Sequence, residues 1–414
     1  MAVHRMTAVD AQFYWMSAKV PNDQFLVYAF DGDPGSLSRA IDEVRSRARA
    51  CPDLTMRVRD GCVLTYPEWV PASDESAQVV VHELADASWD GCLDTVLGLA
   101  DKQLDVSRMP WRLHVFTGVC GIPTGGLPGT VAVLQIGHAL ADGTRAAALA
   151  GWLFGRAAPV PRVFPPSAGC LLPWRAVDAA RTHRKLVSDI RDGRLVPPPK
   201  PRPPLSTNAR PAGARRMRAL VRHRGQLRGR TVTVSVLTAV SAALAEHLGG
   251  QADQLAAEVP IAKPWARQAN NHFSNVTVGL YPQLSGKTRE QQIAADLADG
   301  RRRAAHPAAR AGDRAFAAVP APLLRWGVTQ FDADARLPQV SGNTAVSSVN
   351  RGPADLHFGG APVLLTAGYP ALSPVMGLTH GVHGIGETVV ISVHAAESAI
   401  GDIDGYLHRL DVAL

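Results

Sequence analysis

Short runs of valine, isoleucine and other apolar residues recur along the chain, and this pattern predicts β-strands. The predicted strands cover residues 62–69, 77–84, 110–119, 130–140, 275–284, 343–350 and 387–395. A Gly/Pro-rich segment of the kind that forms hairpin loops lies between the third and the fourth, so we expect these two strands to pair antiparallel. A longer Gly-rich segment, residues 355–386, separates the last two strands.

Apolar residues at helical spacing predict helices between the strands. In the segment 36–52, Leu37, Ile41 and Val44 fall on one helical face, a serine at the start can cap the helix, and a proline follows its end. Two further helices are predicted over residues 233–250 and 289–306. The first of these ends in glycine, a common helix terminator. The pattern as a whole predicts a mixed α and β protein.

Two proline-rich segments, residues 158–167 and 195–213, frame a basic helical segment in the middle of the chain. Proline clusters cannot occupy a central sheet and favour extended, exposed chain. We therefore predict two lobes, an N-terminal one at residues 1–156 and a C-terminal one at 215–414. A Pro/Arg-rich crossover linker, residues 157–214, joins them.

Composition narrows the class of protein. With 414 residues, 46% of them hydrophobic, the chain can bury sizeable cores in two or three units. A net charge of +7 favours anionic partners, such as nucleic acid, a phosphate-bearing cofactor or an acidic membrane surface. The N-terminus lacks the features of a secretory signal, and no apolar run is long enough to span a bilayer. We expect a cytoplasmic protein, at most peripheral to the inner face of the membrane.

The five cysteines, at positions 51, 62, 92, 120 and 170, show no CxxC pair and no Cys/His ligand spacing. Neither a disulfide framework nor a zinc site is indicated, which suits a reducing compartment. His380 and His383 lie close together in sequence, but no acid or cysteine accompanies them, so we predict no metal site there.

Candidate chemistry lies at the end of the fourth predicted strand, in the sequence GHALADG. A neutral imidazole titrates near physiological pH, so His138 can act as a general base that takes a proton from a hydroxyl or an amine. Asp142 can bond an arginine or backbone donors and hold the turn, and Gly143 permits the tight backbone there. The same pattern also suits a histidine that only ends a strand and an aspartate that only caps the next helix.

Four motifs in order carry a resemblance to a known family. They are GHALADG (HHxxxDG in the family), VDAQF near the N-terminus (DAxF), LDVSRMPWRLHVFTG from residue 104 (LDxSRPLWxxHxxxG), and SSVNRGP from residue 347 (SNVPGP), followed by a Gly-rich stretch. On these motifs the chain resembles the bacterial wax ester synthase/diacylglycerol acyltransferase family (WS/DGAT). That family lies in the superfamily of nonribosomal peptide condensation domains and chloramphenicol acetyltransferase.

The sequence departs from the family pattern at several positions. Gly137 replaces the first histidine of the pair, although the second, the family's base, is kept. Met-Pro-Trp stands at residues 109–111 for Pro-Leu-Trp. The Asn-Asp pair that opens a helix of the second lobe falls on Thr233 and Val234, and the asparagine of SNVPGP is Ser348. These departures put the family's long-chain lipid substrates in doubt.

The resemblance implies an α/β (α+β) fold of two chloramphenicol acetyltransferase-like lobes, each a mixed sheet with helices, with a tunnel between them. It implies an acyltransferase in which His138 is the base, Asp142 and Gly143 are structural, and Ser347, Ser348 and, less directly, Asn275 are tunnel or oxyanion groups. These last three can equally be ordinary strand and turn residues. The donor would be acyl-CoA or an acyl carrier protein and the acceptor an alcohol or amine, with no permanently bound cofactor.

Three functions stay open. The first is an acyl-CoA-dependent O-acyltransferase of lipid metabolism. The second is a carrier-protein-dependent condensation or tailoring enzyme of specialised metabolism that acylates a hydroxyl or an amine. The third is a catalytically degenerate binding partner, for which Gly137 is the main argument. The basic segments 215–230 and 301–303 are ordinary solvated faces or attract coenzyme A phosphates, an acidic carrier or anionic lipid. No nucleic-acid module surrounds them.

Overall fold

Two six-stranded sheets organise the part of the chain that the structure describes. The structure is a computed structural model that describes residues 3–72, 78–166, 172–249 and 254–414. The elements of its first half are β1 (His4–Arg5), α1 (Ala8–Ser17), β2 (Gln24–Phe30), α2 (Leu37–Ala50), β3 (Met56–Arg59), β4 (Glu68–Pro71), β5 (Val79–His82), α3 (Trp89–Leu99), β6 (Trp111–Val119), β7 (Gly129–Ile136), α4 (Gly143–Leu153) and α5 (Leu172–Arg191).

The second half supplies the remaining elements. They are β8 (Arg215–His223), α6 (Val232–Leu248), β9 (Ala256–Ala262), β10 (Phe273–Gly279), α7 (Gly286–Ala304), α8 (Pro307–Phe316), α9 (Ala321–Thr329), β11 (Thr344–Asn350), β12 (His357–Phe358), β13 (Ala361–Gly368), β14 (Leu378–Ile385), β15 (Thr388–Ala396) and α10 (Ile403–Ala413). None of the helices described is both long enough and apolar enough to cross a membrane.

The first sheet has the strand order β12-β13-β2-β7-β6-β5. Strand β7 lies near its centre, and every one of its residues is buried, as expected for a strand made mostly of β-branched and other apolar residues. The predicted hairpin is confirmed, because β6 and β7 pair antiparallel with Leu113 opposite Leu134. The second sheet has the order β10-β9-β11-β14-β15-β8, and β11 runs parallel to both of its neighbours.

The Gly-rich segment 355–386 forms three strands that the sequence pattern did not predict, β12, β13 and β14. Two of them, β12 and β13, join the first sheet, where β13 pairs antiparallel with β2. A part of the chain that follows the predicted linker therefore completes the sheet of the N-terminal half. The division of the chain at residues 156 and 214 stays a prediction. The hairpin of β12 and β13 crosses that division, because it comes from the C-terminal half and pairs with β2 of the N-terminal half.

One predicted strand is wrong in its bounds. Residues 60–67 form loop and turn rather than strand, and only β4 remains of the strand predicted at 62–69. Val63 and Leu64 are 61% and 70% exposed, so they bury no apolar surface, and Pro67 has no backbone N–H to give to a sheet. Their apolar character indicated a strand that the fold does not use.

The predicted helices are confirmed by α2, α6 and α7. The side chain of Ser36 caps α2 by accepting the backbone N–H of Arg39, and Gly249, whose φ of 58° favours glycine, caps the C-terminal end of α6. The basic segment of the predicted linker forms α5, which packs against α8. Cys170 and Gly250, the last residue of the predicted helix 233–250, lie outside the described residues.

Apolar side chains join the two sheets. One cluster of buried residues contains Val27 and Val133 from the first sheet together with Met217 and Val390 from the second. Each such side chain contributes about 1.5–3 kcal/mol when it is fully buried, so the two sheets hold each other in place. The residues that follow β7 and those on β11 are thereby held around the same cavity.

Candidate functional site

His138 lies in the loop between β7 and α4. The backbone N–H of Gly137 donates to the carbonyl of Pro110 at 2.9 Å, and the N–H of Leu140 donates to the carbonyl of Gly137 at 2.9 Å. The chain therefore turns sharply directly after the buried strand, and the imidazole is half-buried while the residues on both sides are buried. The tight turn at the end of this inner strand thus fixes the position of the His138 side chain.

A cavity of about 1040 Å³ passes this imidazole. Residues of the N-terminal half and residues from 233 onward both line it. Its volume suits a small-molecule substrate. All of the site residues expected from the sequence line this cavity: His138, Asp142, Gly143, Asn275, Ser347 and Ser348. The structure brings these residues together from distant parts of the chain, and the roles assigned to them remain predictions.

Asn271 sets the tautomer of the imidazole. Its side-chain NH₂ donates to the carbonyl of His138 at 2.8 Å and to Oδ1 of Asp10 at 3.0 Å, so its Oδ1 is the acceptor. That oxygen lies 2.7 Å from Nδ1 of His138, which must therefore carry the proton. In the neutral ring the other nitrogen, Nε2, then has a free lone pair with which it can accept a proton.

The surroundings keep this imidazole neutral. The ring of Phe13 stacks on it with centroids 4.2 Å apart and planes 6° from parallel, and the ring of Phe273 lies 6.0 Å away. Burial among these groups lowers the pKa of His138 below its ordinary value of 6.5, and the weaker opposing effects of Asn271 and Asp142 do not reverse this shift. A neutral base is therefore available at pH 7.

Asp142 bonds away from the imidazole. Its carboxylate accepts the backbone N–H of Arg145 at 2.9 Å, which caps α4, and the backbone N–H of His272 at 2.8 Å. The guanidinium of Arg267 completes a buried ion pair with it at 2.8 Å. Asp142 thus ties the loop that carries His138 to the segment that carries Asn271.

Asp10 anchors the same segment from the other side. Its carboxylate accepts the backbone N–H groups of Asn270 and Asn271 at 3.0 and 2.9 Å. Burial raises the pKa of Asp10, while these hydrogen bonds act against that rise. Sequence reasoning did not predict roles for Asp10, Phe13, Arg267 or Asn271. The motif VDAQF contained a signal for the first two of these, whereas the other two lie outside the quoted motifs.

A side chain at position 137 would point away from the cavity. A Cβ at this position would stand 2.7 Å from Cγ1 of Val106 and 3.5 Å from the carbonyl oxygen of Pro110. Any larger side chain here would therefore enter the first lobe and displace Val106. Glycine at the first position of the histidine pair is the residue that this packing accommodates.

Two departures from the family pattern meet in the structure. The hydroxyl of Thr233, at the start of α6, lies 2.8 Å from the hydroxyl of Ser348 on β11. Both residues line the cavity. Positions at which the family carries asparagine thus form a pair of hydroxyls here, with at least one proton to donate toward the cavity.

The two histidines predicted to hold no metal, His380 and His383, lie in different environments. His380 is fully buried, where its ring nitrogens bond the hydroxyls of Thr344 and Tyr406 at 2.9 Å each. His383 lines the cavity. No group of three or more His, Cys, Asp or Glu side chains that could hold a metal ion occurs in the described ranges.

The basic segments are not uniformly solvated faces. Residues 215–223 form the edge strand β8, and three of its arginines pair with acids: Arg215 with Asp101, Arg218 with Asp404, and Arg222 with Asp411. These pairs reduce the positive field of that segment. Arg301 and Arg302 line the cavity at exposed positions, and Arg302 forms an ion pair with Asp299.

The fold is similar to those of solved acyltransferases and condensation domains. The wax ester synthase/diacylglycerol acyltransferase from Marinobacter aquaeolei VT8 matches with a TM-score of 0.62 at 18% identity, over 99% of this chain and 98% of that one. A mutant starter condensation domain of rhizomide synthetase, in complex with C8-CoA and Leu-SNAC, matches with a TM-score of 0.62 at 12% identity, over 99% and 92% of the two chains.

The condensation domain from Monacolin K polyketide synthase matches with a TM-score of 0.54 at 12% identity, over 100% of this chain and 97% of that one. No family model matches the chain, and no curated protein matches it in sequence. At these identities the similarity establishes the fold. The fold of two sheet-rich lobes expected from the resemblance is therefore confirmed.

Proposed function

We propose that the chain transfers an acyl group from an acyl thioester to a hydroxyl acceptor, with His138 as the general base. The observation that carries the proposal is the hydrogen bond between Asn271 and Nδ1, which leaves Nε2 of a neutral, cavity-lining imidazole free. A base of this kind needs both reactants within reach, and the cavity between the lobes has room for them. The fold shared with acyltransferases and condensation domains supports the same chemistry.

The chemistry follows from these groups. Nε2 takes the hydroxyl proton as the acceptor oxygen attacks the thioester carbon, and the carbonyl π electrons move to the oxygen as an oxyanion. The hydroxyls of Thr233 and Ser348 and the amide of Asn275 are the donors proposed for that oxyanion. Collapse of the intermediate breaks the carbon–sulfur bond, and the imidazolium returns its proton to the thiolate. This sequence of steps uses no cofactor beyond the thioester.

Acyl-CoA is the proposed donor, because the cavity carries Arg301 at an exposed position where anionic phosphates can approach it, next to Arg302, which pairs with Asp299. An acyl carrier protein is the alternative donor and an amine the alternative acceptor, as in a condensation or tailoring enzyme. The degenerate-partner hypothesis loses its main argument, since a side chain at Gly137 would point into the first lobe. Peripheral contact with an anionic membrane stays a prediction.

Mass spectrometry of the purified protein with mixed acyl-CoAs and pooled alcohols and amines tests the proposal. We expect acylated products from the wild type and a loss of at least a hundredfold in rate for H138A. H183Q, which changes an exposed histidine on α5, is the matched control and should keep the wild-type rate. Product formation by a folded H138A protein at the wild-type rate would contradict the assignment of the base.

A further inference from the structure

Arg351 is a buried cation that has no acidic partner in the described part of the chain. It follows β11 directly, only 4% of its surface is exposed, and it lines the cavity. Among the described residues, no carboxylate forms an ion pair with it. Burying a guanidinium is costly unless a negative charge accompanies it, so this arginine is an exception that calls for a partner.

The contacts of the guanidinium leave part of it free. Nη1 donates to the hydroxyl of Thr366 and to the carbonyl of Ala367, both on β13. The ring of Tyr28 lies beneath it, with its centroid 5.2 Å from Cζ. Nε is buried and has no hydrogen-bond partner. These neutral contacts hold the side chain in place without neutralising its charge.

His383 stands beside this arginine and also lines the cavity. Its Nδ1 is buried and has no partner, and burial together with the nearby guanidinium keeps its pKa well below the ordinary value. The two side chains converge over Gly368. A Cβ at that position would stand 2.7 Å from Nη2 of Arg351 and 3.0 Å from Nε2 of His383. The lack of a Cβ at Gly368 therefore lets a cation and a neutral imidazole pack side by side, directly against its backbone.

We propose that Arg351, together with His383, binds a carboxylate carried by a molecule that enters the cavity. A carboxylate bears one negative charge and presents two oxygens in the plane of a guanidinium fork, which matches one unpaired arginine beside a neutral imidazole. A phosphate monoester bears nearly two charges and exceeds what this site compensates. The proposal rests on the proposed function only in treating that molecule as a substrate, either an acyl donor or an acceptor with a free carboxylate.

Binding without turnover tests the site itself. Isothermal titration with octanoate, octanamide and octyl phosphate compares three headgroups on one chain length at pH 7. We expect the wild type to bind octanoate at least about tenfold more tightly than octanamide, the usual contribution of a charge-assisted hydrogen bond, and more tightly than octyl phosphate. Equal affinity for octanoate and octanamide, or tighter binding of octyl phosphate, would overturn the proposal.

Variants then locate the preference. R351Q should bind octanoate and octanamide equally, and R310Q, which removes the same charge from an exposed position on α8, should keep the wild-type preference. G368A keeps the guanidinium, but its methyl group would push Arg351 and His383 out of their positions, so it should also lose the preference and provides the test if R351Q does not fold. An unchanged preference in a folded R351Q or G368A protein would show that the carboxylate binds elsewhere.

Turnover distinguishes the source of the carboxylate. Succinyl-CoA is compared with butyryl-CoA toward a neutral alcohol, and 3-hydroxybutyrate with its methyl ester toward butyryl-CoA. A preference for the charged member of one pair that R351Q abolishes assigns the carboxylate to the donor or to the acceptor. If octanoate binds through Arg351 but no product forms from any pair, the site stands and the proposed function fails.

Discussion

At the scale of single residues, the proposed chemistry depends on one hydrogen bond between positions far apart in the chain. Asn271 and His138 are separated by 133 positions, yet the amide oxygen of one selects the tautomer of the other. Asp10 holds the amide in turn, through its bonds to the backbone and side chain of Asn271. The imidazole of His138 is thus oriented by a neutral amide rather than by the carboxylate that follows it in the HxxxDG pattern.

This arrangement predicts the pH dependence of the rate. Burial lowers the pKa of His138, so the imidazole stays neutral, and available as the proposed base, at pH values below 6.5 where an exposed imidazole is already largely protonated. The acid limb of kcat/KM should therefore have its midpoint below 6.5. N271A frees the ring to adopt the other tautomer and should lower kcat by about ten- to a hundredfold, with a much smaller change in KM.

Nitrogen-15 NMR of the histidine side chains checks the tautomer directly. The wild type should show a protonated Nδ1 and an unprotonated Nε2 for His138 at pH 7, and N271A should show a mixture. A wild-type acid limb above pH 6.5, or an N271A protein with unchanged kcat, would mean that the amide does not set the base.

At the scale of elements, the loop before α4 is secured by a single carboxylate with several partners. Asp142 caps α4 and pairs with Arg267, and both of these side chains are largely buried. A cap alone is worth about 1 kcal/mol, whereas breaking a buried ion pair costs about 3–5 kcal/mol because it leaves an uncompensated charge. The carboxylate therefore matters to stability as well as to position.

D142A should lower the free energy of unfolding by about 3 kcal/mol or more, measured by chemical denaturation. D402A is the matched control, because Asp402 caps α10 through the N–H of Gly405 at an exposed position, and it should lower that free energy by only about 1 kcal/mol. If D142A is as stable as the wild type and loses only rate, then Asp142 takes part in the chemistry.

At the scale of the whole molecule, buried neutral histidines make folding sensitive to acid. Burial lowers the pKa of His114 and His394 to about 4 and that of His380 to about 3. In the unfolded chain these side chains titrate near 6.5, so between that pH and the lowered values the unfolded state binds more protons. The stability they provide is complete above pH 6.5 and is lost progressively as the pH falls.

The free energy of unfolding should therefore decrease from pH 7 to pH 5, and each such histidine should contribute about 1.4 kcal/mol per pH unit once the pH is below 6.5. Chemical denaturation at several pH values measures the slope. H380Q should reduce it by about one proton, and H408Q, at an exposed position on α10, should leave it unchanged. An equal slope in the wild type and H380Q would exclude this origin for the acid sensitivity.

Local patterns in the sequence were enough for much of the architecture. The apolar spacing of α2 and the antiparallel pairing of β6 with β7 follow from side-chain periodicity and loop composition, which act over a few residues. The position of His138 after a buried strand follows from the same kind of pattern. The resemblance carried by short motifs extended this to the fold of both lobes.

Tertiary structure alone decided the rest, because it depends on contacts between distant segments. Strands β12 and β13 join the sheet of the N-terminal half although they are encoded after residue 350, and Val63 and Leu64 stay exposed despite their apolar character. Three features arise only where the two lobes meet around one cavity. They are the partner of the imidazole, the pairing of Thr233 with Ser348, and the charge of Arg351, which no carboxylate of the described residues compensates. Short-range periodicity holds no information on which distant side chain completes a hydrogen bond or leaves a charge uncompensated.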